Sequence, residues 1–168
     1  MIERLTPRTA KIAIFAVAHA TYWDQFPGLY EKIMGYHADL VAKVRANGAE
    51  VLDFGMVDSS EKAFSAAEKI AGSGADLLFC NMATYATSSV FAPILKETNL
   101  PMVLVALQPR KAMDYTKAST FMQLENDNIC SVPEFTGVAN RLGKPVTDVI
   151  LGALYDDKEA EAELSEWC

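Results

Sequence analysis

The fold of this 168-residue chain can be argued from the stretch ADLLFCNMATYAT, residues 75–87. Its first half, residues 77–80, is apolar throughout and follows the turn residues 72–74. A short apolar run bounded by turn residues is typical of a central strand that is buried on both faces of a parallel sheet. Its second half is polar without being charged. Because ligands of open α/β sheets bind beyond the carboxyl ends of the strands, this half predicts a site for a neutral, hydroxylated ligand.

The polar half of the stretch also has a purely structural interpretation. Ser88 and Ser89 are residue types that cap helices, and Thr84 is common in turns. Both interpretations stay open on the sequence alone.

Five predicted strands alternate with helices along the chain. The strands are expected at residues 11–18, 49–54, 77–80, 102–107 and within 146–154. The main helices are expected at 29–46, from Ser59 to about Ile70, at 89–98, at 131–142 and after Asp156 or Asp157. Regular alternation without an internal repeat predicts a doubly wound, five-stranded parallel sheet in a three-layer sandwich. The strand order expected is the flavodoxin-like order 2-1-3-4-5.

The chain is predicted to have three segments. Residues 1–10 form a leader, residues 11–156 form the flavodoxin-like α/β domain, and residues 157–168 begin a helix that leads into a following domain. The last expectation rests on Leu164 and Trp167, an apolar stripe near the end of the chain that needs a partner. The chain is therefore expected to be a fragment of a longer protein.

Charge and cysteine usage exclude several classes of function. The net charge of −7, with scattered lysines and arginines, argues against nucleic acid and anionic lipid as partners. The first apolar run, residues 12–18, is too short to span a membrane. The three cysteines have no metal-type spacing, and Cys80 is expected in the core. These features predict a cytoplasmic protein with reduced thiols.

The expected strand order brings the segments after the first and third strands together at the carboxyl edge of the sheet. The predicted substrate-binding residues at this edge are His19, Tyr22, Trp23, Asn81, Thr84, Tyr85 and Gln108. His19 has a second interpretation as a hydrogen-bonding strand end. The aromatic pair Tyr22 and Trp23 suits either stacking on a sugar or an oligomer interface.

Other polar residues are assigned no chemistry. His37 is expected on the surface or at an interface, and residues 125–127 are expected in an exposed polar turn. The chain has no glycine-rich phosphate loop, and its two histidines allow no Ser-His-Asp arrangement and no metal cluster. No catalytic residue and no metal ligand are therefore predicted within this chain.

Four segments together resemble the N-terminal domain of the L-arabinose isomerase and L-fucose isomerase family, and L-arabinose isomerase is the nearer match. The segments are NMATYAT at residues 81–87, LPMVLVALQ at 100–108, TFMQLEN at 120–126 and EFTG at 134–137. The chain departs from the family where Ala83 replaces a histidine and Tyr85 replaces a phenylalanine.

The resemblance implies a metal-dependent aldose–ketose isomerase that uses Mn²⁺ or another divalent ion held by later domains. This chain alone would be inactive. It would contribute to a homo-oligomer and help to cover a small neutral sugar of the pentose or deoxyhexose class. The alternative function is a stand-alone flavodoxin-like module that binds a small ligand.

Overall fold

The structure is a computed structural model that describes residues 9–168. Most of the predicted leader at residues 1–10 therefore lies outside the described residues. The strands are β1 (Lys11–Val17), β2 (Glu50–Val57), β3 (Leu77–Met82), β4 (Met102–Gln108) and β5 (Asp148–Ala153). The helices are α1 (Thr21–Gln25), α2 (Leu29–Ala46), α3 (Ser60–Ala71), α4 (Ala92–Glu97), α5 (Thr120–Glu125), α6 (Val132–Arg141) and α7 (Lys158–Trp167), with a 3-10 turn at Ser88–Val90.

The five strands form one parallel sheet in the order β2-β1-β3-β4-β5. This confirms the predicted flavodoxin-like α/β fold and its strand order. In the sheet Ala16 of β1 lies opposite Asn81 of β3, which in turn lies opposite Val105 of β4. The carboxyl ends of these strands therefore reach the same edge, as the sequence predicts.

Alternate residues of the central strands fill two cores, one on each face of the sheet. On one face Phe15 and Cys80 pack with side chains of α3, α4 and α6. On the other face Ile14 and Phe79 pack with side chains of α2 and α7. Because helices cover both faces, the strands can be apolar without alternation, which is why residues 77–80 were recognisable as a buried strand.

Two segments differ from their predicted secondary structure. The connection after β1, where no helix was predicted, contains the short helix α1, and the Phe26 N–H donates to the Tyr22 carbonyl. The helix expected over residues 89–98 is split into the 3-10 turn and α4. The break lies just before Pro93, which occupies the first turn of α4, where the missing N–H of proline is tolerated.

The helix α7 packs on the sheet of its own chain. Leu164 is 1% exposed in the core beneath α2, and Trp167 packs against the same core. The contact is close because β5 carries Gly152, where a Cβ would lie 2.7 Å from Asp157 Oδ2 and 2.8 Å from Ala160 Cβ. The expectation that Leu164 needs a partner domain is therefore wrong, since β5 and α2 already cover it. The predicted division at residue 157 is not tested by this packing.

Within residues 9–168, no helix is both long and apolar enough to cross a membrane.

Candidate functional site

A crevice of about 250 Å³ lies at the carboxyl edge of the sheet, where the strand order changes direction around β1. The crevice is lined by Ala18, His19, Ala20, Asp58, Ser59, Ser60, Thr87, Ser89 and Val90. These residues follow β1, β2 and β3, and this switch point is the position at which open α/β sheets bind ligands. A larger cavity of about 360 Å³ lies at the opposite edge, beside Pro101 and Thr147, where β4 and β5 begin.

The imidazole of His19 is fixed by the first residue of α1. The Thr21 hydroxyl lies 2.7 Å from His19 Nδ1, and the Thr21 backbone N–H donates to the same nitrogen at 3.4 Å. A nitrogen that accepts a backbone N–H bond carries no proton, so the neutral ring is protonated at Nε2. Nε2 is then the ring nitrogen that remains for a substrate.

The carboxylate of Asp58 joins the elements around the crevice. Asp58 Oδ2 accepts from Trp23 Nε1 at 2.8 Å, and Lys62 Nζ lies 2.8 Å from Asp58 Oδ1. The Asp58 carbonyl accepts from the Ala20 N–H at 3.2 Å. Asp58 is 6% exposed, and its charge is paired with that of Lys62, whose side chain is 54% exposed.

Hydroxyl groups form most of the remaining polar lining. Ser59 caps α3, where its Oγ accepts from the Lys62 N–H at 3.3 Å, and its own hydroxyl proton stays free to donate. The hydroxyls of Thr87 and Ser89 lie 2.7 Å apart. With Asp58 neutralised by Lys62, the crevice offers hydroxyls and one imidazole, a set that matches uncharged polar groups.

Three of the predicted site residues come together at this edge. His19 lines the crevice, and its ring centroid lies 5.6 Å from that of Tyr22. Burial raises the pKa of Tyr22, and the nearby Tyr85 and Asp127 raise it further. Tyr85 is therefore a neighbour of Tyr22, and both are half-buried rather than fully exposed.

Trp23 does not present its ring to the crevice. Its indole N–H is bonded to Asp58, and its ring meets that of Tyr30 edge-to-face at 5.1 Å. Both contacts are internal to the chain, so stacking of Trp23 on a sugar is not what this arrangement provides.

Asn81 faces α2 rather than the crevice. Its Nδ2 lies 3.0 Å from His37 Nδ1, and His37 Nε2 lies 2.9 Å from Asp53 Oδ1. His37 is 1% exposed, so its predicted surface position is wrong. The hydrogen bond from His37 lowers the pKa of Asp53 despite partial burial. These contacts were not predictable from local sequence patterns, because they join residues 16 and 44 positions apart.

Thr84 and Gln108 hold the backbone around α5. Thr84 Oγ1 donates to the Leu124 carbonyl at 2.6 Å, and Gln108 Nε2 donates to the Asn126 carbonyl at 2.7 Å. These bonds fix the segment that follows β4 across the end of the sheet. Both residues therefore have a structural role. Their role in substrate binding stays a prediction.

The expected exposed turn at residues 125–127 is wrong for Glu125, whose side chain is 1% exposed. Glu125 pairs with Lys32 at 2.9 Å and with Arg110 at 3.1 Å, and it accepts a hydrogen bond from Tyr36. Burial alone would raise the pKa of Glu125, but the bonds from Tyr36 and Lys32 and the charge of Arg110 outweigh burial and lower it. Asn126 is buried too, at 9% exposure.

Two further observations concern ligands. Among residues 9–168, no group of three or more histidine, cysteine, aspartate or glutamate side chains is placed to hold a metal ion. In the same part of the chain, Asn128 Oδ1 is a buried side-chain atom without a hydrogen-bond partner. The Nδ2 of the same amide donates to the Ala83 carbonyl at 3.3 Å, which places Asn128 beside the end of β3.

The sequence analysis identified His19 and the polar stretch that contains Thr87. It assigned no role in the site to Asp58, Ser59 and Ser60, although they follow a strand at the same edge. Their position after the second strand was the signal that could have assigned them to the site.

No protein-family model and no curated protein match this chain. Among solved structures, it is similar to type II dehydroquinase from Propionibacterium acnes, with 16% identity and a TM-score of 0.46 over 94% of this chain and 97% of that chain. It is also similar to a 3-dehydroquinate dehydratase-like protein from Bifidobacterium longum, with 15% identity and a TM-score of 0.38 over the same shares of the two chains. At these values the likeness carries no argument about the activity of this chain.

These neighbours are not sugar isomerase domains, so the predicted membership in the L-arabinose and L-fucose isomerase family is wrong. The predicted function as an isomerase domain is wrong with it, and the alternative of a stand-alone binding module gains no support. The physical reason lies in the residues that carried the resemblance. Thr84 and Gln108 donate to backbone carbonyls of the segment 120–126 and hold it across the sheet edge. These residues therefore have a structural role that does not depend on a sugar substrate.

Proposed function

We propose that this chain is an enzyme that binds a small, neutral, polyhydroxylated substrate in the crevice and activates one of its oxygens through His19. The observation that carries the proposal is the placement of His19. It lines a hydroxyl-rich crevice at the switch point, and its Nδ1 is held by Thr21. In this arrangement Nε2–H donates a hydrogen bond to a carbonyl or hydroxyl oxygen of the substrate.

The charge of the lining supports a neutral substrate. The Asp58 carboxylate is paired with Lys62, and the other polar groups of the lining are hydroxyls and an imidazole. The volume of about 250 Å³ is at the small end for ligand sites. These features favour a compact polyol or hydroxyketone over a nucleotide.

Two tyrosines close to one another support the same class of substrate. Tyr22 lies beside His19 and Tyr85 lies near Tyr22; both side chains are half-buried and combine an apolar ring with a hydroxyl, which suits contact with a polyhydroxylated ligand. Both remain in the proposal as substrate-binding residues.

The test uses the fact that the chain contains two histidines. With ¹⁵N-labelled histidine, the imidazole signals of His19 and His37 are recorded while ribitol, D-ribose or dihydroxyacetone is added. We expect the His19 signals to move in a saturable way and those of the buried His37 to stay in place. A His19→Gln variant should abolish saturable binding. Absence of any response of His19 to all three compounds, or equal responses of both histidines, would contradict the proposal.

Inorganic phosphate serves as the charged control in the same titration. Because the crevice presents no uncompensated positive charge, phosphate should shift His19 less than the neutral compounds do. A stronger response to phosphate would assign the crevice to anionic ligands instead.

The proposal also includes a cytoplasmic location and association into a homo-oligomer. Cys80, Cys130 and Cys168 are all unpaired, which is typical of a reducing compartment. Leu151 on the edge strand β5 is 50% exposed, which supports contact between copies at that edge. Light scattering on the purified chain and on a Leu151→Lys variant tests the association. A monomer in both cases contradicts it.

A further inference from the structure

We infer that Trp23 is a positioning residue of the crevice: through Asp58 it holds α1, and through α1 it sets which nitrogen of the neutral His19 ring carries the proton. The effect on substrate rests on the proposed function. The effect on the His19 ring does not, because it is a property of the protein without ligand.

The first step is the bond between Trp23 and Asp58. The indole Nε1 donates to Asp58 Oδ2 at 2.8 Å, and Lys62 on α3 holds the other carboxylate oxygen at 2.8 Å. Lys62 of α3 therefore holds the Asp58 carboxylate in place independently of Trp23. Since Asp58 is 6% exposed, water competes weakly for this bond.

The second step is the dependence of α1 on this bond. The helix has five residues and no side-chain cap at its start, so it is too short to be stable by itself. Trp23 supplies two of its tertiary contacts, since its indole N–H bonds Asp58 and its ring meets Tyr30 at 5.1 Å. The Ala20 N–H adds a bond to the Asp58 carbonyl at 3.2 Å.

The third step connects α1 to the imidazole. Thr21, the first residue of α1, supplies both groups that bond His19 Nδ1. If α1 moves away from Asp58, Nδ1 loses these bonds and the neutral ring populates both tautomers. Only part of the molecules then carry the proton on Nε2. Fewer of them can donate from Nε2 to a substrate oxygen, which weakens the activation of that oxygen.

The chain provides a matched control for this inference. It contains two tryptophans, and each donates its indole N–H to an aspartate. Trp167 Nε1 bonds Asp148 Oδ2 at 2.9 Å, between α7 and β5 and outside the crevice lining. Trp23→Phe and Trp167→Phe therefore remove the same kind of bond, one beside the site and one outside it.

The experiment compares the ¹⁵N shifts of His19 in these two variants without any added ligand. We expect Trp23→Phe to move the His19 Nδ1 and Nε2 shifts toward each other, as tautomer exchange requires, with His37 unchanged. Trp167→Phe should leave His19 as in the parent protein. Thr21→Val, which removes the hydroxyl directly, should give the same direction of change as Trp23→Phe.

A role in stability alone gives a different pattern. In that case Trp23→Phe lowers the melting temperature as Trp167→Phe does but leaves the His19 shifts unchanged, and the inference is overturned. If Trp23→Phe fails to fold, Asp58→Ala removes the same bond from the acceptor side, and an unchanged His19 spectrum there also overturns it.

The consequence for binding is measured separately. If ribitol, D-ribose or dihydroxyacetone binds the parent protein, its affinity for Trp23→Phe should fall by about two- to tenfold, the effect of losing one ordinary hydrogen bond. If none of these compounds binds the parent protein, the proposed function fails while the ligand-free His19 shifts still decide the role of Trp23.

Discussion

At the scale of single residues, buried polar groups in this chain act in connected sets rather than alone. Glu125 forms ion pairs with Lys32 and Arg110 and accepts a hydrogen bond from Tyr36. His37 forms hydrogen bonds with Asn81 and Asp53. The Glu125 set ties α5 to α2 and to the segment after β4, and the His37 set ties α2 to β2 and β3. Removing one member leaves buried partners without bonds, which costs more than the bond itself contributes.

Glu125 predicts a specific dependence of stability on pH. Its pKa is lower in the folded protein than its ordinary value of 4.5, so the folded state binds the proton less readily than the unfolded state. The stability that it contributes is present above the unfolded pKa and is lost as the pH falls through the folded pKa. Urea denaturation between pH 3 and 7 should therefore show a decline below about pH 4.5 that is smaller in Glu125→Gln.

At pH 7 the Glu125→Gln variant should itself be less stable by about 1–3 kcal/mol, because charged hydrogen bonds are replaced by neutral ones. Glu134→Gln is a suitable comparison, since Glu134 is exposed and accepts one backbone bond from Ser88. Equal pH profiles for the two variants would contradict the assigned role of Glu125.

The contacts of His37 predict that a second substitution restores stability lost in the first. His37→Leu leaves the buried Asn81 amide without its partner and should lower the free energy of unfolding by about 1–3 kcal/mol. The double variant His37→Leu, Asn81→Leu replaces both groups by apolar ones and should recover part of this loss. Urea denaturation of the two variants measures it. A double variant that is less stable than the single one would show that packing, not the unmatched amide, dominates.

At the scale of elements, α7 packs on one face of the sheet. Leu164→Ala should destabilise the chain by about 2–4 kcal/mol, since a buried leucine is lost from the core beneath α2. Phe64→Ala is the control, because Phe64 is 60% exposed on α3 and its truncation should cost less than about 1 kcal/mol. Denaturation curves compare the two. A similar small loss for both variants would mean that α7 docks loosely.

At the scale of the whole molecule, the central strand opens only when the entire sheet opens. Cys80 is fully buried in β3, and burial raises the pKa of its thiol well above the ordinary value. Native protein should therefore react with iodoacetamide at no more than two thiols, those of Cys130 and Cys168, and denatured protein at three. Mass spectrometry counts the adducts. Modification of Cys80 in native protein at the rate of Cys130 would show local opening of the sheet.

The sequence by itself determined the architecture of this protein. Five apolar runs separated by helical patterns predicted a parallel sheet in the order 2-1-3-4-5, and the structure has it. The start of α3 at its N-cap Ser59 is equally local, whereas for α7 the sequence left Asp156 and Asp157 both open and the structure has Asp157 as the cap. These features follow from neighbouring residues along the chain, because strand burial and helix capping depend on short-range patterns of polarity.

Only the tertiary structure decided which polar residues meet. Gln108 and Asn81 follow or end strands at the predicted edge, yet one bonds the backbone at Asn126 and the other bonds His37. Trp23 was expected to meet a sugar or another copy of the chain, and its indole N–H bonds Asp58, 35 residues away along the chain. A sequence shows that a residue lies at the carboxyl end of a strand. It does not show which side-chain partner is nearest, because that depends on how helices from distant parts of the chain pack across the sheet.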